Sequence, residues 1–286
     1  MNDTQNGSFP RTNIETLSVP RLIIGTNWFL GFSHTTSAQA HFIIEHQDRS
    51  RLADVIEVFM KEGVDAIYGV RPESPQLEDA IKDAEDRVGR KCIKMGTPGF
   101  DLSGSQEADD KNRKAIDGFA EIGCSVCLPH QGTTDAMIDR VNRKITNMDY
   151  YTKLIRERGM IPGLSTHTPE TIPIADETNL DIGTYIQIYN AAGFLMQVEI
   201  DWINRVIWNA KKPVLTIKPL AAGRIMPLVG LAFSWATLRD CDMICIGCFT
   251  PDEAREVLEI SRNQLFRSAS KLELQTTRSK KTLVGE

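Results

Sequence analysis

Hydrophobic positions along the chain gather into short, almost continuously apolar runs, separated by longer stretches with helical spacing. Eight runs stand out: Arg21–Trp28, Val64–Val70, Lys91–Gly96, Cys124–Pro129, Ile161–Thr166, Thr184–Tyr189, Val214–Pro219 and Met243–Gly247. Runs of this kind read as strands buried on both faces, as in a parallel sheet. The stretches between them carry helix signals. Leu52–Glu62 stops at Gly63, and further helices end at Gly123 and near Gly159, where glycine accepts the left-handed backbone of a C-cap. Thr168-Pro169-Glu170 and Thr250-Pro251-Asp252-Glu253 put threonine at the N-cap, proline at N1 and acid in the first turn. Strand and helix alternating through eight units predict an α/β protein, a single (β/α)8 TIM barrel. An open doubly wound sheet is the alternative, but no G-x-G-x-x-G turn follows the first strand.

Length fits this reading, since 286 residues suit one barrel. The boundaries expected are a flexible polar lead-in over residues 1–20, the barrel over 21–271 and a polar tail over 272–286. Residues 29–50 form a long loop after the first strand, carrying His34, His41 and His46; such loops often wall a site. With 41% hydrophobic and 25% charged residues and a formal net charge of −5, the chain offers no basic field for nucleic acid and no polybasic face for lipid. Its apolar runs are too short to span a bilayer, and the first twenty residues lack a signal-peptide core. The six cysteines lack the spacing of a secreted disulfide framework. The expectation is a cytoplasmic protein that meets a small-molecule substrate, with no nucleic acid or membrane partner. Cys241–Cys248 reads C-x-x-x-C-x-x-C, but it overlaps the last strand, so core cysteines are the expectation there.

In a barrel, polar residues at the C-terminal strand ends are the candidates for chemistry. Here they include Asn27, Tyr68, Arg71, Lys94, His130, Ser165, His167, Gln187, Asn190 and Lys218. Alternation pairs Cys92 with Lys94, Ser165 with His167, Gln187 with Tyr189 and Thr216 with Lys218 on shared faces. Lys218 has two readings: a desolvated amine that attacks a carbonyl as a Schiff base, or a structural cation paired with a carboxylate. Lys94 has the same two. His130 and His167 end neighbouring strands and suit proton transfer. No carboxylate ends a neighbouring strand, so no metal is expected. Gly247, leading into the helix at Thr250, suits a phosphate, although Asp252 and Glu253 weigh against one.

The chain resembles the aldo-keto reductases. The resemblance rests on Arg21–Thr26, the second unit Gly63–Ile81, the Gly-x-Ser turn within Gly159–Pro169, the Pro-Leu-x-x-Gly element in Lys218–Gly223, and the closing Phe233–Ile260. It implies a barrel oxidoreductase reducing a small carbonyl substrate with NAD(P)H. Lys94 matches the family's lysine and His130 its histidine, while Tyr68 stands where an aspartate should end strand 2. The implied roles are proton donation by Tyr68, activated by Lys94, with His130 orienting substrate. Ser165 and Gln187 match the positions that hold the carboxamide of the cofactor, and Gly247 borders it. Asn27, His167 and Asn190 fall to the substrate. Ile217 replaces the aromatic that stacks on the nicotinamide. Two further readings stand beside this one: a cofactor-free lyase or aldolase built on Lys218, and a non-catalytic ligand-binding barrel.

Overall fold

Alternation along the barrel strands sorts their side chains into two shells. Ile23, Ala66, Met95, Val126, Ile186, Leu215, Met243 and Cys245 form one buried cluster inside the barrel. Leu22, Ile24, Ile67, Tyr185, Val214, Ile244 and Ile246 belong to a second, larger cluster shared with the helices outside. The computed structural model describes residues 8–270, Leu272 and Lys280.

The elements in chain order are a hairpin of β1 (Arg11–Ile14) and β2 (Leu17–Pro20), then β3 (Leu22–Gly25), α1 (Ser37–His46), α2 (Arg49–Lys61), β4 (Ala66–Val70), α3 (Pro75–Val88), β5 (Ile93–Gly96) and α4 (Gln106–Glu121). Next come β6 (Cys124–Cys127), the short α5 (Gln131–Thr134), a second hairpin of β7 (Ile138–Asp139) and β8 (Lys144–Ile145), α6 (Met148–Glu157) and β9 (Ile161–Ser165). The chain continues through α7 (Thr171–Glu177), β10 (Thr184–Ile188), α8 (Ile200–Asn209), β11 (Val214–Ile217), α9 (Pro227–Thr237), β12 (Met243–Ile246) and α10 (Pro251–Phe266). The eight parallel strands β3, β4, β5, β6, β9, β10, β11 and β12 close in that order into a barrel. Each lies within one of the eight apolar runs read from the sequence.

The lead-in differs from the expectation. Residues 1–7 lie outside the described residues, but from Ser8 onward the segment is ordered, and Arg11–Pro20 is a hairpin. Ile14 and Val19 are fully buried and join the cluster inside the barrel. Because β2 runs directly into β3, the hairpin covers the N-terminal ends of the strands. Arg11 fastens it, donating to Asp65 Oδ1 at 2.8 Å, just ahead of β4. Burying an Ile or Val is worth about 1.5–3 kcal/mol, enough to hold so short a segment against its entropy. With the hairpin at the bottom, the cavity bordered by the strands lies at their C-terminal ends. The tail expected from residue 272 lies outside the described residues, apart from Leu272 and Lys280.

The stretch 29–50 is also more structured than expected. Thr36 caps α1 by accepting from the Gln39 N–H at 3.2 Å, and Asp48 caps α2 by accepting from Arg51 N–H at 2.9 Å. No helix among the described residues is long and apolar enough to cross a membrane.

Candidate functional site

Two breaks in strand alternation decide which side chains reach the barrel mouth. In β4, Tyr68 faces inward and Val70 outward. Between them Gly69 adopts φ +93°, and the pairing with β5 shifts register there. This bulge advances the pattern by one residue, so Arg71 faces the mouth along with Tyr68. In β11, Val214 faces outward and Ile217 inward, so regular alternation would send Lys218 outward. Instead Lys218 takes φ +61°, a left-handed backbone uncommon for a side chain of this size, and the turn brings its amine into the mouth.

The mouth is a cavity of about 720 Å³. Tyr68, Ser165, Ile217 and Cys245 border it from the strands, and Arg71, His130, His167 and Lys218 from the strand ends. His34, in the loop after β3, closes one side. Its Nδ1 meets the Phe32 carbonyl at 3.0 Å, and its Nε2 meets Lys218 Nζ at 3.2 Å. A carbonyl only accepts, so Nδ1 carries the proton and Nε2 accepts from the lysine. Among the described residues no carboxylate lies within ion-pair distance of Lys218. Burial lowers its pKa below the ordinary lysine value, with Cys245 acting weakly the other way.

The histidines share this environment. Burial, followed by the charge of Lys218 and the neighbouring His130 and His34, pushes His167 down to about 4. Burial and then Arg71 lower His130, and burial and then Lys218 lower His34. His130 Nδ1 accepts from the Gly132 N–H at 3.2 Å, which leaves the proton on Nε2. Tyr68 moves the other way. Burial pushes its phenol up to about 12, against hydrogen bonds with Ser165 and Thr97 and the charge of Arg71. Near neutral pH the cavity therefore presents neutral imidazoles and a neutral phenol.

Several expected residues are elsewhere. Lys94 shares its face with Cys92 and points outward, into the layer between barrel and helices. Its Nζ donates to Glu78 Oε2 and to the Ile122 carbonyl, each at 2.6 Å, so it is not brought to Tyr68. Its placement is that of a cation paired with a carboxylate. Gln187 also faces outward, between the outward-facing Tyr185 and Tyr189. It is fully buried, its Nε2 donates to the Ile188 carbonyl at 3.4 Å and its Oε1 has no partner. The amide of Asn190 is engaged by its own loop, donating to the Phe194 carbonyl and accepting from the Ala192 and Phe194 N–H groups. Of the three residues read as contacts for a cofactor, Ser165 and Gly247 border the cavity and Gln187 does not. Gly247 makes room for protein rather than for a ligand, since a Cβ there would meet Trp28 Cδ1 at 2.9 Å. Asn27 borders the cavity from an exposed position.

The start of α10 does not suit a phosphate. Thr250 Oγ1 accepts from the Glu253 N–H at 3.2 Å, and Glu253 Oε2 accepts from the Phe249 N–H at 2.6 Å. This cap takes two of the local donors, and Glu253 and Glu256 border the cavity there, so the helix start already carries negative charge. Of the positions read for a nicotinamide dinucleotide, Gln187 faces away from the cavity, and carboxylates stand where its phosphate was expected. Among the described residues, no group of three or more His, Cys, Asp or Glu is placed to hold a metal. Of the Cys241–Cys248 run, Cys245 and Cys248 are buried thiols that border the cavity and whose pKa values burial raises, whereas Cys241 is exposed.

Two further members of the cavity wall, Arg71 and His34, were named in the sequence only as a strand-end polar residue and as part of a loop expected to wall a site, without a role. The inward direction of Arg71 was legible only through Gly69, since glycine inside a strand marks a bulge. His34 sits in the long loop after β3, and nothing in its neighbours signals the contact with Lys218.

No family model matches the sequence, and no curated protein matches it. Solved structures do match. A protein described as an aldo-keto reductase from Pseudomonas aeruginosa is 14% identical, over 90% of this chain and 94% of that one, with a TM-score of 0.64. An aldo-keto reductase from Klebsiella pneumoniae in complex with NADPH is 15% identical, over 94% and 99%, at 0.55. A truncated 3-deoxy-D-arabino-heptulosonate 7-phosphate synthase from Thermotoga maritima is 9% identical, over 90% of each chain, at 0.53. One barrel thus serves different chemistries among its neighbours. At the level of the fold the resemblance read from the sequence holds: this chain is a divergent barrel of the kind the aldo-keto reductases have.

Proposed function

We propose that the protein is a lyase or aldolase acting on a small carbonyl compound, with Lys218 as the amine that attacks it. The observation that carries this is the state of Lys218: turned into the cavity by a left-handed backbone, desolvated, and bonded to an imidazole rather than a carboxylate. A lysine so placed loses its proton more readily than a solvated one and becomes a nucleophile.

In the reaction, the neutral amine adds to the carbonyl carbon. A C–N bond forms, the C=O π pair moves to oxygen, and that oxygen takes a proton to give a carbinolamine. Loss of water leaves a protonated imine. When the bond between its α and β carbons breaks, the electron pair moves into the imine to give an enamine, and the β-hydroxyl loses its proton as an aldehyde leaves. Protonation of the enamine at the α carbon regenerates the imine. His167, held neutral, serves as the proton acceptor, and Tyr68, whose phenol keeps its proton, as the donor. Hydrolysis of the imine restores the lysine.

Trapping with borohydride in the presence of a panel of small aldehydes and oxo acids tests this. The peptide carrying Lys218 gains the mass of the reduced adduct, and Lys218→Arg abolishes the gain. An unmodified Lys218 peptide across the whole panel refutes the proposal.

A second reading, reduction of a small carbonyl compound with NAD(P)H, draws on the neighbouring structure that holds NADPH and on Tyr68 and His130 bordering one cavity. The outward-facing Lys94 and Gln187 count against it. Saturable quenching of tryptophan fluorescence by NADPH or NADH, with Trp28 at the mouth as reporter, would restore it; no quenching would dismiss it.

A further inference from the structure

Besides Lys218, the cavity has a second cation without a carboxylate partner. The Arg71 guanidinium lies 4.8 Å from the centroid of the Phe32 ring. No side chain or carbonyl among the described residues accepts a hydrogen bond from it. Arg49, Arg87, Arg143, Arg156 and Arg239 are each bound to carboxylates; Arg205 and Arg224 share the ring-stacked arrangement of Arg71, but neither borders the cavity. The ring holds the planar group in place by cation–π contact while leaving its donor edge free. One loop serves both cations, since Phe32 supports Arg71 and His34 accepts from Lys218. The carboxylates that border the cavity, Glu253 and Glu256, sit on α10, and neither is within ion-pair distance of Arg71 or Lys218.

We propose that Arg71 is the carboxylate-binding residue of this site, and that the substrate is an oxo acid whose carboxylate pairs with Arg71 while its carbonyl carbon meets Lys218. This rests on the Lys218 reading above for the carbonyl end alone. A planar guanidinium fork matches a carboxylate with two parallel N–H···O bonds. A phosphate needs several converging donors, and the helix start that borders the cavity carries Glu253 and Glu256 instead. Two unneutralised cations in a partly desolvated cavity are costly alone, and an anionic substrate removes that cost on binding. Neutral His34, His130 and His167 add no competing anion.

The test uses the full chain and five probes: pyruvate, 2-oxoglutarate, lactate as a carboxylate without the carbonyl, methyl pyruvate as the neutral ester, and inorganic phosphate. Calorimetry should show that Arg71→Gln weakens binding of the three acids about tenfold to a hundredfold, the worth of a charge-assisted pair. Arg71→Lys should recover part of this, and methyl pyruvate should be insensitive to either change. Unchanged thermal unfolding of Arg71→Gln rules out a folding defect. Borohydride trapping then separates the two ends. Arg71-dependent binding of the acids without any Lys218 adduct leaves the clamp standing and removes the Schiff base. An adduct that forms equally from pyruvate and methyl pyruvate in both proteins removes the clamp. Absence of Arg71-dependent binding by any of the three acids overturns the proposal, as does tighter Arg71-dependent binding of inorganic phosphate than of lactate.

Discussion

Lys94 and Lys218 look alike in the sequence, each a lysine at the end of a barrel strand among apolar neighbours, yet the fold gives them opposite work. Lys94 follows the regular alternation of β5, points into the helical layer and is neutralised by Glu78, with side-chain exposures of 13% and 11%. Lys218 breaks the alternation of β11, points into the mouth and meets a neutral imidazole. Burial by itself therefore does not mark a reactive lysine. What separates the two is whether a carboxylate is supplied. One lysine is neutralised by the scaffold's own Glu78, and the other carries the proposed reaction.

The contrast predicts its largest effect in stability. Lys94→Met leaves the Glu78 carboxylate buried with its ammonium gone, and should cost about 3–5 kcal/mol in urea unfolding. Lys218→Met removes a cation that no carboxylate neutralises, and should leave stability unchanged or raised while abolishing adduct formation. Equal losses from the two substitutions would erase the distinction between them.

A smaller effect follows from the imidazoles around Lys218. His167 is pushed down to about 4 from an ordinary 6.5, so in the folded state it stays neutral where the unfolded chain has already taken up a proton. Its contribution to stability is intact above pH 6.5 and is lost as the pH falls from 6.5 to about 4. The lowered values of His34 and His130 act in the same direction. His167→Asn should therefore lose less stability on acidification than the parent, as read by unfolding curves taken across that range. An identical acid loss in both would place the sensitive groups elsewhere.

The barrel was legible because strands buried on both faces leave near-continuous apolar runs, and all eight survive in the structure. The N-terminal hairpin was not, since only Ile14, Leu17 and Val19 mark it within a polar stretch, and their value comes from plugging a cavity that sequence does not display. The helix α1 was hidden for a related reason: of its apolar residues only Ile43 is buried, so no stripe points to a core. For the site, alternation rightly put Ser165 and His167 on one face. It could not tell which face was inner, and that is why Lys94 and Gln187 were misplaced. Gly69 offered a hint of the bulge that delivers Arg71. The left-handed turn at Lys218 had no local signal, because the constraint on it comes from the surrounding strands and loops.

The most direct test is competitive acylation of the folded protein by a small amine-reactive reagent over a pH series, with peptide mass spectrometry reporting Lys218 and Lys94 separately. The account predicts that Lys218 is modified early, along a titration curve displaced below that of an ordinary lysine, and that Lys94 stays protected by Glu78 until the protein unfolds. Lys218 titrating as an ordinary lysine, or the two residues reacting alike, would contradict it.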